Sequence, residues 1–151
     1  MSVKNIHSAD TLNELLLRLN KLHSDTQRQW GTMNVAQMLA HCNAALTMQL
    51  GDTNPPANFI GKILGPLIRN KVVNETPFSQ GLPTEKTFVI TDNREFEKEK
   101  TTLIGLMTRM CQSSPDIFKN RKHPFFGKMT PAQWNNLVYK HLDHHFRQFG
   151  V

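Results

Sequence analysis

Cysteine is nearly missing from this chain. Cys42 and Cys111 are the two present, and their separation makes no framework. With no apolar segment after Met1-Ser2-Val3-Lys4-Asn5, no secretory signal is expected, so both are read as reduced thiols and the protein as cytoplasmic. Long hydrophobic runs are lacking too: none approaches the roughly 18 residues that span a bilayer, so no membrane partner is expected. Internal repeats and low-complexity stretches are absent. Acidic residues are outnumbered, 12 against 18 Lys and Arg, which gives a net charge of +6 and a pI near 9.6. A basic balance favours anionic partners. Here, though, no RNP-like aromatic strand, zinc-finger spacing or helix-turn-helix signature accompanies it, and nucleic-acid binding is not expected. The basic residues are scattered apart from Lys119, Arg121 and Lys122, which read as a solvated loop. The other reading of that loop is a docking point for an acidic substrate, such as the carboxylate of a thiol peptide.

What is present is enough apolar material for one core. At 151 residues, 38 % of them hydrophobic, the expectation is one soluble domain over 1–151. The main pattern is the amphipathic helix. Leu12, Leu15, Leu16, Leu19 and Leu22 recur at steps of three and four, behind Asp10 as N-cap. A second helix follows Trp30-Gly31, capped by Thr32 or Asn34; it carries Val35, Met38, Leu39, Cys42, Ala45 and Leu46 and stops at Gly51. Beyond Asn54-Pro55-Pro56, Phe59, Ile60, Ile63, Leu64, Leu67 and Ile68 keep helical spacing, but Gly65-Pro66 should kink or divide that segment. From Asn74 to Thr91 a long loop is expected, with extended backbone near Thr87-Phe88-Val89-Ile90. Asp92 and Glu95 resemble a capping box ahead of Phe96, Leu103, Leu106, Met107 and Met110. A second loop, 115–129, holds His123-Pro124-Phe125-Phe126-Gly127. The last helix opens with Thr130 as N-cap, Pro131 at N1 and Gln133 at N3. Four substantial helices with long loops after the second and third predict an all-α four-helix bundle.

Three of the seven histidines crowd into His141-Leu142-Asp143-His144-His145 near the end of the last helix. The inward stripe there runs Trp134, Leu137, Val138, His141, His145, Gln148, so two histidines continue the core stripe. Residues four apart on a helix lie on one face, separated by ~6 Å of rise, so the 141 and 145 imidazoles can close on one metal ion. Other readings stay open: hydrogen-bonded residues favoured by the helix dipole, a polar core network without metal, or a tag remnant, although the run is short, interrupted and set in native periodicity. His41, on the edge of the apolar face of the second helix, is a third nitrogen donor, whereas a histidine taken singly in such a place is more often structural. Three imidazoles with open positions match a catalytic rather than a structural zinc site.

Met38-Leu39-Ala40-His41 and His141-x-x-His144-His145-x-x-Gln148 resemble the DinB/YfiT-like metalloenzyme superfamily. The segments Trp30 to Cys42 and His123 to Pro131 resemble a bacterial branch of it that has no assigned function. With the helix order, the resemblance covers most of the chain. It implies a DinB/YfiT-like four-helix bundle with His41, His141 and His145 as metal ligands. His144 matches the neighbouring histidine of the family's final motif and points ~100° from His145, while Gln148 is a candidate to support the ligands from outside. The metal implied is a divalent transition ion, zinc or nickel foremost. The activities implied are thiol-dependent transfer, with a low-molecular-weight thiol as co-substrate, or metal-dependent hydrolysis of a small-molecule substrate. A metal held this way lowers the pKa of bound water towards ~7 or holds a thiolate, and that water is the only catalytic group expected.

Asp143 faces away from His141 and is set aside. Cys42 diverges by about 100° from His41 and reads as a small buried hydrophobe. His123 could cover the site or touch a ligand, but a turn-forming surface histidine is the stronger reading; Phe125 and Phe126 anchor its loop. His7 and His23 carry no argument. Phe146 and Phe149 lie off the histidine stripe and need cover, from a homodimer partner or from the N-terminal segment. The reading from another class is a non-catalytic helical binding or dimerisation module on the same scaffold.

Overall fold

Leucines at steps of three and four produce α1, Ala9–Asn20, which buries Leu15 and Leu19. The computed structural model describes residues 3–56, 59–82 and 88–151, with backbone only for 59–62, 64 and 66. The order continues with α2 (Val35–Leu50), α3 (Phe59–Val73), α4 (Phe96–Gln112), a 3-10 turn (Pro115–Phe118), strands β1 (Lys122–His123) and β2 (Gly127–Lys128), and α5 (Pro131–Gln148). The protein is thus mostly helical, with five helices among the described residues and one small antiparallel ladder, which pairs Lys122 with Lys128 and His123 with Gly127.

The caps follow the local chemistry in part. Asn34 accepts from the Gln37 backbone N–H while the Gln37 side chain accepts from that of Asn34, a full capping box. Thr130 and Gln133 do the same for α5, with Pro131 at its first turn. Gly51 ends α2 at φ 94°, where glycine is at ease. Two expected caps are not formed. Ser8, not Asp10, precedes α1; Asp10 lies inside the first turn, where its charge still meets the positive helix end. Glu95 precedes α4 without a side-chain cap, and the Asp92 carboxylate instead meets Arg94 at 3.1 Å.

The segment beyond Pro55-Pro56 is one helix that runs through Gly65-Pro66, so that pair does not divide it. Tertiary contacts hold it. Arg69 donates to the Lys128 carbonyl at 2.8 Å, and Lys140 Nζ reaches the Val72 and Asn74 carbonyls at 2.7 and 2.8 Å. Gly65 allows close approach, because a Cβ there would stand 1.6 Å from the Phe125 carbonyl oxygen. The side chains of Phe59, Ile60 and Leu64 and the backbone of Thr87 lie outside the described residues; Phe88 to Thr91 form no strand. The ladder lies instead in the 115–129 loop.

Helix α1 packs on α4 and α5, and α2 packs on the same pair. Helix α3 covers α5 and touches β2. Of the 16 residues of α2, 12 are buried, so it is apolar on nearly every side and runs through the middle. Asn43 donates to the Glu99 carboxylate at 2.8 Å, tying α2 to α4. Residues of all five helices meet in one core around Leu15, Leu39, Leu103, Trp134 and Val138. Phe146 and Phe149 are buried within the chain, the former under the Arg18 guanidinium, so neither needs a partner subunit for cover. Among the described residues no helix is long and apolar enough to cross a membrane.

Candidate metal centre

His41 is held in the middle of α2, and the last two turns of α5 lie against it. The structure brings His41, His141 and His145 together: one ring nitrogen of each lies within 4.8 Å of the others. His41 and His145 are buried, and His141 opens onto a cavity of about 260 Å³. The three rings are mutually packed, with centroids 4.6 to 4.8 Å apart.

Hydrogen bonds determine which nitrogen of each ring carries the proton. The Phe88 carbonyl can only accept, so His41 Nδ1–H donates to it at 2.7 Å and leaves a lone pair on Nε2. The Trp30 carbonyl likewise forces the Gln148 amide: Nε2 donates to it at 2.8 Å, which turns Oε1 towards His145. His145 Nδ1 then donates to that oxygen at 2.9 Å, leaving its Nε2 bare. His141 Nε2 is 2.8 Å from His41 Nε2. Two lone pairs would repel at that distance, so His141 donates. A shift of that single proton to its other nitrogen leaves three imidazole lone pairs converging, the donor set that suits a divalent transition ion.

The electrostatics agree. Burial lowers the pKa of His41, lowers that of His141 well below the usual range with help from its two neighbours, and lowers that of His145 to about 3. All three rings are therefore neutral at pH 7, and no proton need leave the cluster for it to act as a ligand set.

Gly31 is the sequence signal for this arrangement that the residue pattern alone did not disclose. At φ 84° its Cβ would stand 2.3 Å from Gln148 Nε2, so a side chain there would dislodge the amide that orients His145. Phe88, the other orienting group, supplies only a carbonyl, which no side-chain pattern can signal.

The remaining candidates have separate positions. His144 lies outside the trio, on the cavity wall between Trp30 and Phe78, and its Nδ1 has no partner among the described residues. His123 is not a surface residue. It is buried, stacks on Phe126 at 4.5 Å, lines the cavity and accepts from the Phe125 and Phe126 backbone N–H groups on Nδ1 at 3.1 and 3.2 Å. Burial, with Arg121 nearby, takes its pKa to about 3. Gly127, the ladder partner of His123, takes φ 71°, where glycine is at ease. Arg121 does not face solvent as a free anion site: it donates to the Gln49 and Met48 carbonyls at 2.7 and 2.9 Å, closing the end of α2. Lys119 pairs with Asp116. Cys42 is fully buried against Met38 sulfur, and burial pushes its thiol far above the usual range. Asp143 is buried on the other side of α5, bridging Arg18 and Arg147 at 2.9 and 2.8 Å.

A family model matches residues 2–150, nearly the whole chain. The chain belongs to the family described as Protein of unknown function (DUF1569). The DUF1569 description names no activity, so the site has to be read from its own geometry. Comparison with curated proteins and with solved structures gave no match.

Proposed function

We propose that this DUF1569 protein is a divalent-metal-dependent enzyme of DinB/YfiT-like architecture, α1, α2, α4 and α5 forming its four-helix bundle. His41, His141 and His145 are the ligands of a single ion. The observation that carries this reading is the convergence of three neutral ring nitrogens, two of them on rings turned inward by the hydrogen bonds their Nδ1–H groups donate to the Phe88 carbonyl and to Gln148 Oε1. A bound divalent ion supplies Lewis acidity, lowering the pKa of a thiol or a water that reaches it.

The protein's own residues do the rest. Phe88 and Gln148 keep the two rings from rotating, so the donor set is ready-made. Cavity walls of Phe78, Phe125, Phe126 and Leu137 exclude water from the reacting end of a bound molecule. Thiol-dependent transfer is the first reaction class of this reading and hydrolysis the second, with zinc or nickel as the ion. The unpaired Cys42 and Cys111 are in keeping with a cytoplasmic setting.

Elemental analysis of untagged protein supplied with zinc or nickel should give about one ion per chain, and His41→Ala should lose it while keeping the helical circular-dichroism spectrum. A wild-type chain that takes up neither metal would remove the enzyme reading and favour a non-catalytic helical module.

A further inference from the structure

The cavity above the histidines has a composition that restricts what can enter it. Four phenylalanines, Phe78, Phe88, Phe125 and Phe126, stand around it with Leu137 and Val72. Its polar lining consists of histidines and Gln49, and no charged side chain lines it among the described residues. Two neighbouring cations, Lys140 and Arg121, are already committed. Lys140 lies behind the Phe78 ring, 4.5 Å from its centroid, with its ammonium donating to two carbonyls and the Asn74 amide oxygen. Arg121 is bound to the end of α2. A carboxylate on the body of a ligand would thus lose its water and gain no counter-charge from the described lining, which is among the costliest forms of burial. Size adds a second limit. An apolar cavity of about 150 Å³ holds benzene, so this one, at about 260 Å³, takes a body of roughly ten heavy atoms, near two fused rings.

We infer that the substrate of this site is a small molecule with a neutral, apolar, ring-sized body, whose one polar group faces His41, His141 and His145. The inference relies on the metal-site reading only for what happens at that polar end; the fit of the body rests on the cavity alone. It also disfavours a polyanionic thiol peptide lodged in the cavity, since such a molecule would find no charged partner for its carboxylates among the described lining residues.

The test uses the full chain as purified, in buffer with a chelator and again after zinc loading. Calorimetric titration with 2-naphthol should show saturable binding of one molecule per chain in both conditions. In the chelator buffer, 6-hydroxy-2-naphthamide, whose hydroxyl takes the histidine end, should bind at least tenfold more tightly than its isostere 6-hydroxy-2-naphthoate, which carries a carboxylate on the body. Ala45→Phe, which fills the cavity from α2, should abolish naphthol binding. Leu82→Arg places a cation at the exposed rim and should narrow or reverse the preference for the amide, with no core residue disturbed should Ala45→Phe fail to fold. No saturable naphthol binding, or equal affinity for amide and carboxylate in the wild type, would overturn the inference. The two readings separate cleanly. Zinc uptake without naphthol binding sinks this inference and leaves the metal site standing. Naphthol binding by a chain that takes up no metal supports this inference and sinks the metal site.

Discussion

Gln148 determines where the proton of His145 sits, although it would touch no metal. Its amide is turned by the Trp30 carbonyl, and it turns His145 in its place. Replacing it with leucine should cut zinc affinity by about 10- to 100-fold, the usual cost of losing such support, with the fold retained. A competition titration against a chromophoric chelator would measure this; unchanged affinity would remove Gln148 from the site. Gly31→Ala should weaken zinc binding in the same assay, because the added Cβ would displace that amide. Much at this scale was legible in the chain. The spacing of His141 and His145, and of Gln148 one turn on, follows from helix geometry alone. The tautomers were not, since they depend on two backbone carbonyls, of Phe88 and Trp30, and a carbonyl carries no residue identity.

At the scale of the elements, caps were readable where side chain and backbone lie within one turn, as at Asn34 and Thr130. Thr130→Ala should destabilise the protein by about 1 kcal/mol in urea unfolding, the usual cost of a lost N-cap. The reading failed where another contact competes, whether next door in sequence or far along the chain. Asp92 is drawn off by Arg94, and α3 continues through Gly65-Pro66 because α5 and β2 hold it from outside. Gly65→Val should therefore cost more than its helix propensity suggests. Even Val's better intrinsic helix preference, worth a few tenths of a kcal/mol, cannot offset a Cβ placed on the Phe125 carbonyl. The expected outcome is a lower urea midpoint together with loosened packing of the Phe125 turn, seen as faster amide exchange there. A variant as stable as wild type would show that α3 does not need this approach.

For the whole molecule, burying five imidazoles in and around one cavity couples stability to pH. His123 and His145 have folded pKa values of about 3 against an ordinary 6.5. Between those values the unfolded chain binds protons that the folded chain refuses, so stability rises with pH through this window. It should be fully present above about pH 6.5 and be lost progressively as the pH falls towards 3. Urea midpoints measured from pH 7.5 to 4 check this, and His123→Asn, which keeps an acceptor for the Phe125 and Phe126 N–H groups, should flatten the slope. A midpoint indifferent to pH would contradict the burial of these rings. Zinc at a hundredfold excess over its dissociation constant should stabilise the folded chain by about 2.7 kcal/mol, read as a higher thermal midpoint that His41→Ala abolishes.

By itself the sequence determined which segments are helical, where α5 begins, the start of α2 to within two residues, and that His141, His145 and Gln148 share a face, because periodicity and capping act within a few residues. The tertiary structure alone decided that α5 is covered nearly all round, so that Phe146 and Phe149 are interior and Asp143 is locked between two arginines. It also decided that His41 meets the pair on α5, that His123 folds inward, and that the cavity above them is aromatic and, among the described residues, without charge. Each of these depends on which surfaces a helix presents to distant parts of the chain, and local pattern does not record that choice.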